Sequence, residues 1–419
     1  MIENWLSFIL LWIMILSFMA LIVAKLYSPF WFHQPVYHTY EIYPRICWSR
    51  APYMKRTRRP PKVGIFCIPN QIKTFDQHNA CIHLVSFVHL LQGHYLDNET
   101  NLYHHNMNTL TKVMYNGYLI SGYFETELIA PTFHKALHMD KVYGMITSRP
   151  ADIFFLHYLT HNITIHFIDF ICVHEKYKSK SISRNLIQTH VYNHMLQEPS
   201  FTGAYLFKKE VDLCKGIVPL LQSTAYTFTL TKTPLSRLPV NYSIKCLNNK
   251  SSIDVWRMLY VQMSKQFEVC ILPSFPIMIE WLTNERYMIY ISVYKDKKQE
   301  KINGLYMFED TYVSYEQENI QSPFMLRLAG SMVFQEDSHS HDIDHLYYFR
   351  GFLHSLHAIQ LDKPKFGVLE IPNVSDNDIL LERWREKYEL RNETSIGYYL
   401  YNMVYPDMPI QPNRFLCLV

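Results

Sequence analysis

The chain has 419 residues, with 40 Lys+Arg against 37 Asp+Glu and a formal charge of +3. At about 150 residues per domain, this length implies two to three domains or one large bilobed one. Hydrophobic residues at 48% and charged residues at 18% provide core material that a disordered chain lacks. So small a net charge is not a nucleic-acid footprint. Glycine, at 12 residues, is roughly 3% of the chain against an average of about 7%. Neither GxGxxG nor GxxxxGK[ST] occurs, so Rossmann and P-loop readings lose their main support. Eight cysteines form no CxxC, which points to free thiols in a reducing compartment. Six N-x-[ST] sequons, such as Asn98-Glu99-Thr100, matter only if the body is lumenal.

Residues 4–24 carry no charge, Gly or Pro. Such a stretch is long enough as a helix to cross a hydrocarbon core of ~30 Å. The start Met-Ile-Glu and the missing A-x-A site argue against a cleaved signal peptide. The expectation is a transmembrane anchor over 4–24. Glu3 precedes it, and Lys25, Arg45, Arg50 and the basic run 55–62 follow. Positive flanks stay cytoplasmic, so this reading makes a single-pass membrane protein with its body on the cytosolic side.

Beyond the anchor, helix-like and strand-like stretches alternate. Residues 79–92 have helical apolar spacing. Residues 141–148 and 163–173 are β-branched and aromatic and read as buried strands. A polar loop, 174–181, then leads into a helix over 182–196. In the second half, helices are expected over 251–265, 275–283, 346–360 and 378–388. Strands are expected over 287–295, 302–308, 365–371 and 397–404. The shared element order suggests two similar α/β halves split near 220–240, although no sequence repeat is visible.

The segment 167–187, FIDFICVHEKYKSKSISRNLI, resembles the central signature of the N-myristoyltransferases. Phe170-Ile171-Cys172-Val173-His174, followed by Lys176, Lys178, Ser179 and Lys180, carries the match. Phe30-Trp31 with Gln34-Pro35-Val36 resembles the family's acyl-CoA motif. Residues 91–98, 143–153, Lys265-Gln266-Phe267, Glu280-Trp281 and 398–402 follow in the family's order. The resemblance covers about 30–419. It implies an α/β fold of two tandem GNAT-like halves forming one saddle, preceded here by the transmembrane helix. The expected organisation is the anchor at 4–24, a basic linker over 25–78 with the acyl-CoA motif at 30–36, an acyl-CoA-binding half over 79–225 and a peptide-binding half over 226–419. The richness in Asn, Tyr, Ile and Lys hints at an AT-rich genome, such as that of a large DNA virus.

Three lysines and a following helix start are the right chemistry for the phosphates of CoA. The resemblance assigns acyl-CoA contacts to Phe30, Trp31, Cys172, Val173, Lys178, Ser179, Lys180, Ser181, Ile182 and Ser183. It makes the backbone N–H groups of Phe170 and Ile171 the oxyanion hole, which demands a local interruption of the strand ladder. It implies transfer of myristate from myristoyl-CoA to the N-terminal glycine of peptides, by direct attack of the amine on the thioester. The base would be the α-carboxylate of Val419, at the end of the apolar run 415–419. Thr202, Gly203 and Glu393 fall at peptide-contacting positions. Myristoyl-CoA is the donor, and no tightly bound cofactor, metal or nucleic acid is expected. The run His339, His341, Asp342, Asp344, His345 has ligand-type residues, but it lies in a polar loop and the family needs no metal.

The chain also departs from the family. Ser181 stands where a basic residue is usual, residues 201–226 align poorly, residues 38–78 look inserted, and the glycines around Glu393 are missing. Two alternatives therefore stay open. One is an acyltransferase acting on another amine, such as lysine. The other is a membrane-anchored acyl-CoA- or peptide-binding protein without turnover.

Overall fold

The computed structural model describes all residues except 1, 42–50, 57–58, 96–100, 105–106, 115–116, 132–135, 159–161, 211–215, 232–236, 249–251, 282–284, 297–298, 316–323, 335–340 and 419. The chain opens with helix α1 (Ile2–Tyr27) and the short α2 (Pro29–Phe32). In α1 the described side chains, among them Trp5, Phe8, Trp12, Leu16, Phe18 and Met19, are exposed. Among the described residues, however, no helix is long and apolar enough to cross a membrane. The expected span over 4–24 is therefore not borne out.

A two-residue strand, β1 (Tyr53–Met54), precedes β2 (Ile72–Asp76). The helices α3 (Gln77–Ala80) and α4 (Leu84–His94) follow, joined by a 3-10 turn at Cys81–His83. Asp76 caps α3 by accepting the Asn79 N–H, and α4 buries Leu84, Phe87, Val88 and Leu91 at the i, i+3, i+4, i+7 spacing of one helix face. Next come β3 (Asn101–Tyr103) and α5 (Met107–Val113).

The first half proper is β4 (Leu119–Pro131), β5 (Ala136–Phe155), β6 (Ile163–Val173), α6 (Ile182–Gln197) and β7 (Tyr205–Glu210). The first three strands form an antiparallel meander. After α6, β7 returns parallel to β6, as a helical crossover requires. Strand β8 (Leu221–Thr229) contains the expected 225/226 boundary.

The second half repeats the pattern. After β9 (Tyr242–Cys246), α7 (Ile253–Gln266), β10 (Val269–Leu272) and α8 (Phe275–Trp281) come β11 (Tyr287–Asp296), β12 (Gln299–Tyr315) and β13 (Phe324–Val333). These three are again an antiparallel meander. Helix α9 (His341–Asp362) crosses over to β14 (Phe366–Pro372), which is parallel to β13. The chain closes with α10 (Asn377–Arg385), β15 (Leu390–Tyr401), β16 (Met403–Val404), a 3-10 turn at Pro412–Arg414 and β17 (Phe415–Cys417). Nearly every expected element lies at or within a few residues of its place, and the duplication read from element order is present in the sheet.

Fifteen of the described strands form one sheet, whose main path runs β17-β10-β5-β6-β7-β15-β8-β14-β13-β12-β11-β9. The halves are stitched together by β15, which pairs with both β7 and β8. One core cluster lies under α6 and contains Phe30, Ile168, Ile182, Leu186 and Phe207. Its counterpart under α9 and α10 contains Phe308, Leu326, Phe352, Leu369 and Trp384. At the seam a third cluster joins residues of both halves, including Phe167, Leu206, Leu221, Ile396 and Phe415.

Candidate active site

Strands β6 and β7 pair only at His166/Tyr205, Phe167/Leu206 and Ile168/Phe207. Past these pairs, residues 169–173 and 208–210 have no partner in each other. On its other edge β6 changes register against β5, where Ile146 faces Ile171 but Ser148 faces Ile168. Two residues, Asp169 and Phe170, thus oppose Thr147 alone, which is the signature of a bulge. The interruption expected around Phe170 and Ile171 is present. Phe170 donates its N–H to Thr147 Oγ1 at 3.1 Å, a side-chain acceptor in place of a ladder carbonyl.

The strand then runs into the basic turn. His174 caps the 3-10 turn Glu175–Lys180 by accepting the Lys176 N–H. The turn is pinned through Tyr177, which is buried and donates to Glu125. Lys176 and Lys180 lie over the Tyr177 ring, at 5.4 and 4.4 Å from its centroid. Both remain exposed, as does Lys178, so the three charges stay near water. The hydrogen bonds from Tyr177 and Tyr123, with Lys180 and Lys176 nearby, lower the Glu125 carboxyl pKa. Ser181 adopts a left-handed conformation (φ 59°) and ends the turn. Ile182 and Ser183 open α6, where the first-turn N–H groups have no partner inside the helix. The side chain of Ser179 lies outside the described residues.

The distant motif at 30–36 is brought to this place. Phe30 is buried beside Trp31 (4.9 Å between ring centroids), and Trp31 meets Phe207 of β7 edge-on at 6.4 Å. Gln34 donates to Gln188 of α6 and accepts from the Tyr401 hydroxyl. Ile171 and Val173 pack into the same cluster as Phe30 and Ile182. Cys172 points to the opposite side: its thiol donates to the Leu90 carbonyl, and burial pushes it up to about 12. Cys172, assigned above to the acyl-CoA, is placed instead in the core against α4.

Opposite, on the sheet face that carries Phe167, lies a charge cluster that sequence reasoning missed. Arg149 pairs with Asp169 at 3.0 Å, with side chains 3% and 7% exposed. Arg286 donates Nε to Glu309 Oε1 at 3.0 Å. Arg327 reaches Glu309 at 3.6 Å and Glu370 at 2.6 Å, in register across β12, β13 and β14. Burial pushes Glu309 up, but Arg286 and Arg327 outweigh it and hold the carboxyl at about 2. Burial and Arg327 lower the Lys208 ammonium on β7. The sequence offered little advance signal, since Arg149 shares β5 with Asp140, Lys141 and Asp152, and Asp169 alone is an isolated charge, on β6.

The C-terminal strand reaches the same region. Strands β13 and β14 part after Arg327/Glu370, as β6 and β7 do in the first half, and β17 runs past β13 at this parting. A Cβ at Gly330 would lie 2.9 Å from both Leu416 Cδ1 and Leu418 Cδ2. Ser375 donates to the Phe415 carbonyl, and Leu418 to that of Ile271. Burial pushes the Cys417 thiol to about 12, against the pull of nearby Lys208 and Arg149. Val419 itself lies outside the described residues.

The remaining site candidates are not gathered here. Thr202 and Gly203 precede β7 at the closed end of the β6–β7 parting, where Gly203 turns the chain (φ 72°) and Asn402 donates to the Thr202 carbonyl. Glu393 is exposed on β15 and lies 3.9 Å from Arg385. Of the His-rich run, His339 and the side chains of His341, Asp342 and Asp344 lie outside the described residues. Among the described residues no group of three metal-ligating side chains occurs.

No family model and no curated protein matches the chain. Solved structures do. Saccharomyces cerevisiae N-myristoyltransferase with bound myristoyl-CoA is 14% identical, with a TM-score of 0.64 over 92% of this chain and 90% of that one. A second structure of that enzyme with myristoyl-CoA gives 14% and 0.63 over 92% and 93%. A third, with myristoyl-CoA and inhibitors, gives 13% and 0.66 over 95% and 96%. The chain therefore has the fold of these structures along nearly all its length.

Proposed function

We propose that the protein is an acyl-CoA-dependent N-acyltransferase that transfers myristate from myristoyl-CoA to the N-terminal glycine of proteins. The observation that carries this reading is the parting of β6 and β7. It combines a bulge at Asp169–Phe170, a basic turn at 176–180 and the start of α6 in one continuous stretch. The solved structures that share the fold hold myristoyl-CoA.

In this mechanism Lys178 and Lys180, with the first N–H groups of α6 at Ile182 and Ser183, hold the CoA phosphates. Phe30, Trp31, Ile171 and Val173 shield the acyl chain. The thioester carbonyl oxygen takes the N–H groups of Phe170 and Ile171, with the Thr147 hydroxyl giving up the first. Such donors are worth about 10²–10³ in rate each. An α-amino group has a pKa of about 7.7–8.0, so the incoming amine must shed a proton, and the Val419 carboxylate takes it. This assignment is supported by the course of β17, whose last residue, the buried Cys417, lies near Lys208 and Arg149 of the charge cluster.

The test uses protein with a native C-terminus, myristoyl-CoA and peptides beginning with Gly or Ala, with products read by mass spectrometry. Acylation of the Gly peptides alone is expected, and adding two residues after Val419 abolishes it. Activity that survives the extension removes Val419 as base. Absence of myristoyl-CoA binding refutes the whole reading.

Helix α1 anchors this enzyme to a membrane, with its body on the cytosolic side. The exposed apolar side chains of α1 and the basic residues after it support this. Carbonate-resistant membrane association, lost on deleting residues 2–27, is the expected result. Release of the intact chain by carbonate excludes it.

A further inference from the structure

Lys208 is the first residue of β7 beyond its pairing with β6. Side chains alternate between the two faces of a strand, so Lys208 shares a face with Leu206 and not with Phe207. Leu206 belongs to the seam cluster with Phe167, whereas Phe207 packs under α6 with Phe30 and Ile168. Lys208 therefore stands at the parting on the face opposite the acyl-CoA motif, where the charge cluster lies. Arg327, Glu370, Glu309 and Cys417 all act on its ammonium. Every other cation of the cluster has its own carboxylate: Arg149 has Asp169, Arg286 has Glu309 and Arg327 has Glu370. Lys208 is half-buried, yet it has neither a hydrogen bond nor an ion pair among the described residues. Four cations thus face three carboxylates. Cys417 adds no charge, because its thiol is pushed up to about 12. A cation held partly out of water without a partner is costly, and an incoming anion would remove that cost.

We propose that Lys208 pairs with a carboxylate of the acyl acceptor, so that preferred acceptors carry an aspartate or glutamate side chain within a few residues of the reacting amine. The inference rests on the acyl-transfer reading above. That reading puts the donor's apolar contacts, Phe30, Trp31, Ile171 and Val173, under α6, which leaves the face of Lys208 to the acceptor. It also sets the chain-end carboxylate against the incoming ammonium. Those two charges cancel, and the charge of Lys208 stays in excess. One carboxylate matches it. A phosphorylated side chain carries about −1.5 to −2 and overshoots. A basic side chain meets a like charge and is rejected.

The experiment measures peptide binding to the full chain by calorimetry, with a thioether analogue of myristoyl-CoA present so that no transfer occurs. The probes are Gly-start peptides that differ only in carrying Glu, Gln, Lys or phosphoserine at one of the positions just after the glycine. At one of these positions Glu is expected to bind about tenfold more tightly than Gln, the worth of one charged hydrogen bond. Lys and phosphoserine should bind more weakly than Glu there. Lys208→Met should erase the difference between Glu and Gln, and Lys208→Arg should keep it. Both variants should bind the thioether analogue as the wild type does. Lys208→Met should also unfold at a higher urea concentration, because three balanced pairs remain and the unpaired charge is gone. A lower midpoint would show Lys208 to be paired within the chain and overturns the proposal. Equal binding of Glu and Gln at every position overturns it too, as does a preference that survives in Lys208→Met. Tighter binding of phosphoserine than of Glu overturns the choice of a carboxylate. A Glu preference without any transfer from myristoyl-CoA leaves the role of Lys208 standing and refutes the acyl-transfer reading instead.

Discussion

Acid should loosen the first half through three histidines buried as neutral rings. His190 lies between two hydroxyls, with Nδ1 2.7 Å from Ser121 Oγ and Nε2 2.9 Å from Ser148 Oγ. Ser148 also meets His166 Nδ1 at 3.1 Å, and His194 Nδ1 meets the Tyr205 hydroxyl at 2.7 Å. Burial lowers His190 and His194 to about 3, and His166 is lowered by burial and by the other two rings. Glu198, 3.6 Å from His194, is 57% exposed and offers little compensation. A folded-state pKa below the unfolded value of about 6.5 means that the unfolded chain binds the extra proton. The stability is then present above pH 6.5 and is lost as the pH falls toward 3. Between pH 7.5 and 5.5 each of His190 and His194 loses about 1.4 kcal/mol, or about 2.7 kcal/mol together. Asp376 works in the opposite sense: burial raises it to about 6, which returns about 0.8 kcal/mol at pH 5.5. The net loss is about 2 kcal/mol, with His166 adding to it. Urea unfolding of the wild type and of His190→Phe at the two pH values is the assay. The substitution should remove about 1.4 kcal/mol of the pH dependence while lowering stability at pH 7.5, because Ser121 and Ser148 lose a partner. A wild-type loss below about 0.5 kcal/mol, or an unchanged pH slope in His190→Phe, refutes the reasoning.

Other outcomes follow from the site. Gly330→Val should cost about 1–3 kcal/mol by overpacking against Leu416 and Leu418. It should reduce acyl transfer far more than it reduces myristoyl-CoA affinity, and equal losses in both would disconnect β17 from the reaction. Lys178→Ala and Lys180→Ala should each weaken myristoyl-CoA about tenfold and flatten its salt dependence. Calorimetry at two ionic strengths reads both effects, and an unchanged affinity removes the turn from the CoA site. Glu393→Gln should change the melting free energy by less than about 0.5 kcal/mol, since Glu393 is exposed and its Arg385 partner is distant. A larger thermal shift would show the pair to be structural. Comparing peptides with and without a basic side chain in the same variant tests Glu393 as a substrate contact.

Local chemistry determined much of this molecule from the sequence alone. Period-2 β-branched runs placed β5 and β6, helical spacing placed α4, α6, α7 and α9, and the clustered lysines after an apolar strand marked 170–183. These signals are local, since each depends on side chains a few residues apart. Two features needed the whole chain. Cys172 reads in sequence as part of the acyl-CoA strand, yet its side chain faces α4 because alternation on β6 sends it there. Thr202, Gly203 and Glu393 were drawn toward the peptide by the order of their motifs; strand register sets the first two at the closed end of the parting and Glu393 on the exposed first half of β15. The tertiary structure alone decided that β6 and β7 part after residue 168, and that β17 lies where β13 and β14 part. It alone decided that Arg149, Asp169, Arg286, Glu309, Arg327 and Glu370 share one sheet face. Cross-strand pairing fixes these neighbours, and partners as far apart in sequence as Tyr53 and Val404 are chosen by packing of the two halves against each other, which no local window of sequence records.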